Sequence, residues 1–514
     1  MVEQGKAERY GRSAITQSLL HFVLGKGVSA GSALVVLVIA IRQLTHTEFA
    51  VYTSMNAMML FIGLLSSFGT NQVMMRFLPE LKVRGNIAAM YRLLFRGITV
   101  RGLTYAAIAL LLYVFAEPVC RMFKFDAWVE VVRWYCLVGF LRVTSTFIGA
   151  SLESLLWQRE AQYSAAAGGL VQLFLVMAAV WRGGMDLVEF VAIEIASELF
   201  LLLLILGWAI VRWKSDPERN VGDPAVLRRD RARYNRFSFW SYAQNLTSIG
   251  FGSAPNRLMV SYFLPIDALA RFGVIDRFVT FIVRYIPLRM FVGLFRPVLN
   301  SRFDDGRGFD GVIASANLLF RANLVVLMGP FVIFAVAGDA LFAWLTDGKY
   351  DNLTALFLGF FAVAILASID TLMDIIVKLL EESRIYAASN LARSSAIALA
   401  IPLIHDLGLW SLVVANFLGL VVAFGIIFRH LRRVGRRIHV DWPLIARIVA
   451  FAACAIGLGH VVVLMQVPAI LAAIAGGAVF VLALCVWPPL KAEERQLVVS
   501  IGSSLKQRLI RRRG

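Results

Sequence analysis

Five basic side chains of this 514-residue chain sit inside long apolar runs: Lys26, held between Gly25 and Gly27, then Arg142, Arg277, Arg284 and Arg289. An isolated Lys, Arg or Asp at the centre of a membrane helix costs about 2.5–3.5 kcal/mol to insert. Such cations are therefore expected to face an aqueous cavity or an anionic partner. Arg offers phosphate-like oxygens a bidentate fork, and Lys a point charge. Arg277 and Arg284 are seven residues apart and share nearly one helix face. The alternative is a purely structural pairing. Arg142 and Glu153, eleven apart, fall on one face, and Asp276 adjoins Arg277. The acids Glu194 and Glu198, and again Asp370 and Asp374, are spaced four apart and could take up a proton or Na⁺. Lys378 follows Asp374 by four, which would make the second set a neutralised stripe. Asn245 and Asn256 belong to a polar stripe with Ser241, Ser248 and Gly252, in a helix weakened by Gly250 and Pro255. That stripe fits a bending cavity wall, or close packing of small residues.

The elements that must carry these groups follow from composition. Apolar residues make up 59% of the chain and charged residues 16%, with a mean hydropathy of +0.74. A soluble domain is nearer 45–50% apolar and about 25% charged. A soluble enzyme, a disordered chain and a coiled coil are excluded, and an all-α polytopic membrane protein remains. At about 20 apolar residues per span, fourteen spans are expected, near 15–41, 50–75, 95–116, 129–156, 163–182, 187–212, 237–263, 271–297, 318–337, 353–377, 385–404, 408–429, 444–465 and 468–488. The first span follows a basic tail and is too long for a signal-peptide core, so it is expected to stay uncleaved.

Charge sets the orientation. With the N-terminus inside, the internal segments carry 34 Lys and Arg and the external loops 6. Both termini are therefore expected in the cytoplasm. This asymmetry explains most of the net charge of +18 without a nucleic-acid partner. Arg432-Arg433, Arg436-Arg437 and Arg511-Arg512-Arg513 read as anchors against anionic headgroups, and Arg296 as a snorkelling anchor. The segment 212–236, basic and holding Pro217, Gly222 and Pro224, reads as a linker. It separates a lobe at 1–213 (linker 214–236) from a second lobe at 237–432, followed by two further spans and a basic tail at 433–514.

The two lobes resemble each other. Leu44, Ala50 and Tyr52 at the join of spans 1 and 2 match Leu264, Ala270 and Phe272 at the join of spans 7 and 8, an offset of 220 residues. Phe77-Leu78-Pro79 likewise matches Phe295-Arg296-Pro297. Six spans per repeat restore the same orientation, so the repeats are parallel, and such repeats commonly enclose a midplane site.

The junctions also carry a family resemblance. The segment Arg42 to Tyr52 (RQLTHTEFAVY) resembles the R-x-L-x-x-x-E-[YF]-[GA]-x-Y pattern after the first helix of bacterial lipid-linked polysaccharide flippases. Phe68 to Glu80, Gly338 to Tyr350 and Ile401 to Ala415 are similar to their second-helix end, the loop before helix 10, and the join of helices 11 and 12. The family is the polysaccharide transporter branch of the multidrug/oligosaccharidyl-lipid/polysaccharide exporter superfamily. The resemblance implies two six-helix lobes in a V around a central cavity, plus two C-terminal helices. It implies a monomer of the bacterial inner membrane that moves an undecaprenyl-pyrophosphate-linked oligosaccharide outward for exopolysaccharide, capsule or O-antigen synthesis. Its implied partners are that substrate, membrane lipid, and the polysaccharide polymerase and export machinery. On this reading Lys26, Arg142, Arg277, Arg284 and Arg289, with Asn245 and Asn256, bind the substrate, the cations meeting its pyrophosphate. Glu194, Glu198, Asp370 and Asp374 would couple an ion.

Other chemistry is weakly supported. Gly27-Val28-Ser29-Ala30-Gly31 matches a nucleophile-elbow pattern but lies in an apolar helix with no preceding strand, so small-residue packing is the better account. No metal, nucleotide or other cofactor motif is present, and the four cysteines form no CxxC pair. Three rival functions remain: a multidrug or metabolite antiporter of the same fold, against which an Arg-rich cavity argues, a membrane polymerase or ligase, against which the short external loops argue, and a non-transporting scaffold, against which the costly buried charges argue.

Overall fold

A computed structural model describes residues 12–284, 308–380, 383–436, 438–491 and 494. The described residues hold helices and no strand. In chain order the helices are α1 (Arg12–Gln43), α2 (His46–Leu65), α3 (Thr70–Val83), α4 (Ile87–Val114), α5 (Ala116–Met122), α6 (Val129–Ser154), α7 (Gln158–Trp181), α8 (Leu187–Ser215), α9 (Val226–Arg229), α10 (Arg231–Thr247), α11 (Ser253–Phe263), α12 (Ile266–Arg284), α13 (Gly308–Thr346), α14 (Thr354–Leu379), α15 (Ser383–Ser395), α16 (Ala400–Leu407), α17 (Trp410–Arg433), α18 (Trp442–Leu464) and α19 (Ala469–Val486). Twelve helical segments are each long and apolar enough to cross a membrane. The expected spans 7 and 8 are the two missing from that set. Span 7 is divided into α10 and α11 by residues 248–252, where Gly250 and Gly252 sit and Gly252 takes φ 112°. Pro255 then falls in the first turn of α11, where its missing N–H costs nothing. Span 8 runs beyond the described residues after Arg284, and Arg289 lies there too.

Two expected boundaries move. Span 3 starts at Ile87 rather than near 95, so Arg92, Arg96 and Arg101 are helical. Arg101 is buried and donates to the carbonyl of Gly63 and the hydroxyl of Ser66 at the end of α2. A cation placed there meets helix carbonyls that have no intrahelical donor. Span 9 lengthens to α13, which continues through Pro330 and departs from helical geometry at Ala337.

The described residues pack as two compact units. One comprises Met1–Val274 with Asn390–Asn416, the other Ile275–Ser389 with Phe417–Gly514. Within the first, sequence-equivalent positions meet. Thr53 packs against Gly273, its equivalent at an offset of 220, where a Cβ on the glycine would come within 2.5 Å of Thr53 Oγ1. His46 Nδ1 lies 3.2 Å from Asp267. Phe49, Ala50 and Tyr52 are buried, as are their counterparts Leu269, Ala270 and Phe272. In the second unit α18 and α19 pack on α13, with Gly459 against Val336 and Gly476 against the Ala455 carbonyl. Buried Arg321 fastens their ends to α13 by donating to the Pro489 carbonyl and pairing with Glu494 and Asp441.

Lys26 is positioned by the packing of α1 on α7. A Cβ on Gly25 would stand 2.6 Å from Gln162 Cβ and 3.0 Å from its backbone, and one on Gly169 would stand 2.5 Å from Ser32 Oγ. Gly27 and Gly31, the glycines of the elbow-like pattern, have nothing within 4 Å of such an atom. Small-residue packing therefore runs through Gly25 and Ser32. Gly25→Ala is expected to destabilise the purified protein by about 1–3 kcal/mol through overpacking, with Gly27→Ala close to neutral. Thermal unfolding in detergent checks the contrast, and equal melting of the two variants would contradict it.

A buried arginine–carboxylate cluster as the candidate functional site

The middle of α6 and the first half of α8 bring three of the named residues together. Arg142 Nη2 lies 2.9 Å from Glu194 Oε1, and Arg142 Nε 2.6 Å from Glu198 Oε1. The two acids are one turn apart, so one guanidinium spans both. α8 is set in register by its N-terminus: Asp186 caps it by accepting from the Glu189 N–H at 2.8 Å. Glu48, whose partner in the capping box of α2 is Thr45, accepts from the Leu187 N–H at 3.2 Å. The junction motif between spans 1 and 2 thus fixes where Glu194 and Glu198 stand.

Uncharged groups extend the cluster. Tyr52 donates its hydroxyl hydrogen to Glu194 Oε1 at 3.2 Å, and the Ser145 hydroxyl approaches Glu198 Oε2 at 3.5 Å. Asn56 donates to the Tyr135 hydroxyl at 3.3 Å and accepts from Arg257 Nη1 at 3.1 Å. Arg257 is fully buried and is the next cation along this chain of polar groups. Two carboxylates facing Arg142 give the inner trio a formal charge of −1. Glu194 is 3% exposed, and its second oxygen, Oε2, is buried with no hydrogen-bond partner. A buried carboxylate oxygen without a donor is costly, and a proton or a small cation would remove that cost.

Arg142 pairs with Glu194 and Glu198, and not with Glu153, which shares its helix face. Glu153 accepts from Gln162 Nε2 at 2.6 Å and feels the charge of Lys26. Lys26 is half-buried, with its ammonium 5.9 Å above the Phe22 ring. Asn256 accepts from Asn416 at 3.2 Å, and Asn245 is half-buried with its carbonyl accepting from Ser248. Arg277, Arg284, Asp370 and Asp374 belong to the other unit. There Arg284 is exposed at the end of α12, Arg277 is half-buried, and Asp370 accepts from the Tyr386 hydroxyl at 3.3 Å. Sequence reasoning missed Tyr52, Asn56, Tyr135 and Arg257. The signal available was Arg257 itself, a further charge within an apolar stretch, and the four-residue spacing of Tyr52 and Asn56 on α2.

No family model matches the sequence, and no curated protein matches it. Solved structures do match in fold. A lipid II flippase MurJ in an inward closed conformation superposes with a TM-score of 0.65 at 11% identity, over 93% of this chain and 99% of that one. A multidrug resistance MATE family transporter in an outward-facing conformation gives 0.58 at 14% identity, over 84% and 98%. A Vibrio cholerae MATE transporter gives 0.56 at 12% identity, over 82% and 99%. The chain shares the all-helical fold of these solved MurJ and MATE structures and is a multi-pass membrane protein of that architecture.

Arg142→Gln leaves two carboxylates facing each other in a buried site and is expected to cost about 3–5 kcal/mol. Adding Glu198→Gln to that variant is expected to restore part of the loss. Unfolding of the single and double variants measures this coupling, and strictly additive effects would contradict the cluster.

Proposed function

We propose that this protein is a flippase. It carries an undecaprenyl-pyrophosphate-linked oligosaccharide from the cytoplasmic to the outer leaflet of the bacterial inner membrane, for surface polysaccharide synthesis, and does so without catalysing a covalent reaction. The fold shared with a lipid II flippase supports the transport class. The ordered junction motifs over roughly the first 430 residues support the polysaccharide branch. Lys26 and Arg284 are the groups offered to the pyrophosphate, with Arg277 and Arg289 following along the same span. Asn245 and Asn256 line the broken span 7, whose interruption at residues 248–252 suits a helix that bends during alternating access.

The observation that carries the energetic part is the single guanidinium between Glu194 and Glu198, with Glu194 Oε2 left over. We assign this trio to ion coupling, and Arg142 to organising it rather than to holding substrate. Binding of H⁺ or Na⁺ at Glu194 would neutralise the surplus charge. Asp370 and Asp374 remain the second candidate pair. The same trio suits a second reading, a multidrug or metabolite antiporter, since the chain also shares its fold with a multidrug resistance MATE family transporter.

Export separates the readings. Lys26→Ala and Arg284→Ala are expected to abolish surface polysaccharide while the protein stays in the membrane at wild-type abundance. The measurement is surface polysaccharide in a deletion strain complemented with each variant. Wild-type polysaccharide in both would remove the substrate assignment. Loss of resistance to cationic drugs on deletion, with normal polysaccharide, would favour the antiporter.

A further inference from the structure

A second concentration of charge lies where α3 meets α10, apart from the cluster on α6 and α8. Arg76, Phe77, Arg233, Arg236, Phe237 and Trp240 line an open pocket of about 500 Å³. Phe77 is buried and meets Tyr234 and Phe237 edge-on, with ring centroids 4.5 and 5.3 Å apart. The Arg76 guanidinium sits 4.7 Å above Phe237 and 5.6 Å from the Phe77 ring, and that of Arg233 5.0 Å above Phe77. A guanidinium laid flat on a ring keeps its donors at its rim.

Arg233 forks onto both oxygens of Glu80, at 2.9 and 3.0 Å. That hydrogen bonding, with the charges of Arg84 and Arg76 beside it, holds the Glu80 carboxyl below the usual carboxylate range. Glu80 therefore stays ionised at neutral pH and supplies one negative charge against Arg76, Arg84, Arg233 and Arg236. A surplus of cationic charge remains at the pocket, on exposed side chains that a ligand can reach.

The pocket stands at the edge of the spanning segments. α3 lies between the apolar spans α2 and α4, and from its midpoint onward it carries Arg76, Glu80 and Lys82. On α10, Phe239 and Trp240 are 63% and 65% exposed, as aromatic side chains are at the headgroup level of a bilayer. We infer that this pocket binds the glycerophosphate head of an acidic membrane phospholipid. Arg76 and Arg236 would hold the phosphate oxygens, and Phe237 and Trp240 would flank the glycerol and upper acyl chain. The volume of about 500 Å³ lies within the range of small-ligand sites and suits a headgroup. Such a lipid would fasten α10, the first half of the broken span 7, to α3, and the inference stands whichever solute the protein transports.

Native mass spectrometry of the purified protein, titrated with phosphatidylglycerol, phosphatidylcholine and undecaprenyl diphosphate, tests it. Wild type is expected to retain phosphatidylglycerol over phosphatidylcholine. Arg76→Gln/Arg236→Gln is expected to lose on the order of tenfold in phosphatidylglycerol affinity, from two basic groups facing an anionic headgroup. Arg219→Gln/Arg228→Gln, the same charge change outside the pocket, is expected to keep wild-type affinity. Arg76→Lys/Arg236→Lys is expected to keep part of it, and serves if the glutamine variant fails to fold. Equal retention of the two phospholipids by wild type would overturn the inference. An equal loss in the Arg219/Arg228 variant would overturn it as a diffuse charge effect. Preference for undecaprenyl diphosphate would overturn it by assigning the pocket to a polyprenyl lipid.

Discussion

A charge inside hydrocarbon must be matched, and the match of Arg142 with Glu194 and Glu198 organises the first unit. The pair-plus-one geometry requires α6 and α8 to face each other with one helical turn of α8 opposite one guanidinium. It requires α2 to present Tyr52 on the same side. Glu48 then ties the start of α2 to the start of α8, so the loop that closes the first helix pair also sets the height of the acids. Removing the cation would leave a repulsive pair of carboxylates where water is scarce, a larger loss than any single exposed salt bridge brings.

The same unit joins two stretches that the sequence matches at an offset of 220 residues: Thr53 meets Gly273, and nearby His46 meets Asp267. The glycine is required there because a Cβ would strike Thr53 and Phe49. Ser54 and Ser261 add a hydrogen bond of 3.0 Å beside them. Contacts of this kind join α2, α11 and the start of α12, and the break at residues 248–252 separates that group from α10.

Much of this architecture is legible in the amino-acid sequence, because hydropathy reads a membrane span almost directly. The weakness of span 7 was visible in Gly250 and Pro255, and the chain breaks beside them. The partner of Arg142 was not visible. Helical periodicity compares residues on one helix, and it offered Glu153, whereas the acids that bind Arg142 are on another helix and were noticed only as a pair of their own. Span 3 reads short at its start because Arg92 marks the stretch before residue 95 as a basic loop by composition, whereas the helix begins at Ile87. Likewise the pattern around Ser29 drew attention to Gly27 and Gly31, whereas contact runs through Gly25. Spacing gives the face of a helix, and only the neighbouring helix decides which face is used.

The proposed coupling role of the Arg142 trio requires an ion to meet its one unbalanced charge. The direct measurement is binding of H⁺ or Na⁺ to purified protein, by a pH indicator in weak buffer and by ²²Na⁺ retention, in wild type and Glu194→Gln. About one ion bound per wild-type chain is expected, and none at that site in the variant. Identical uptake by both proteins would contradict it.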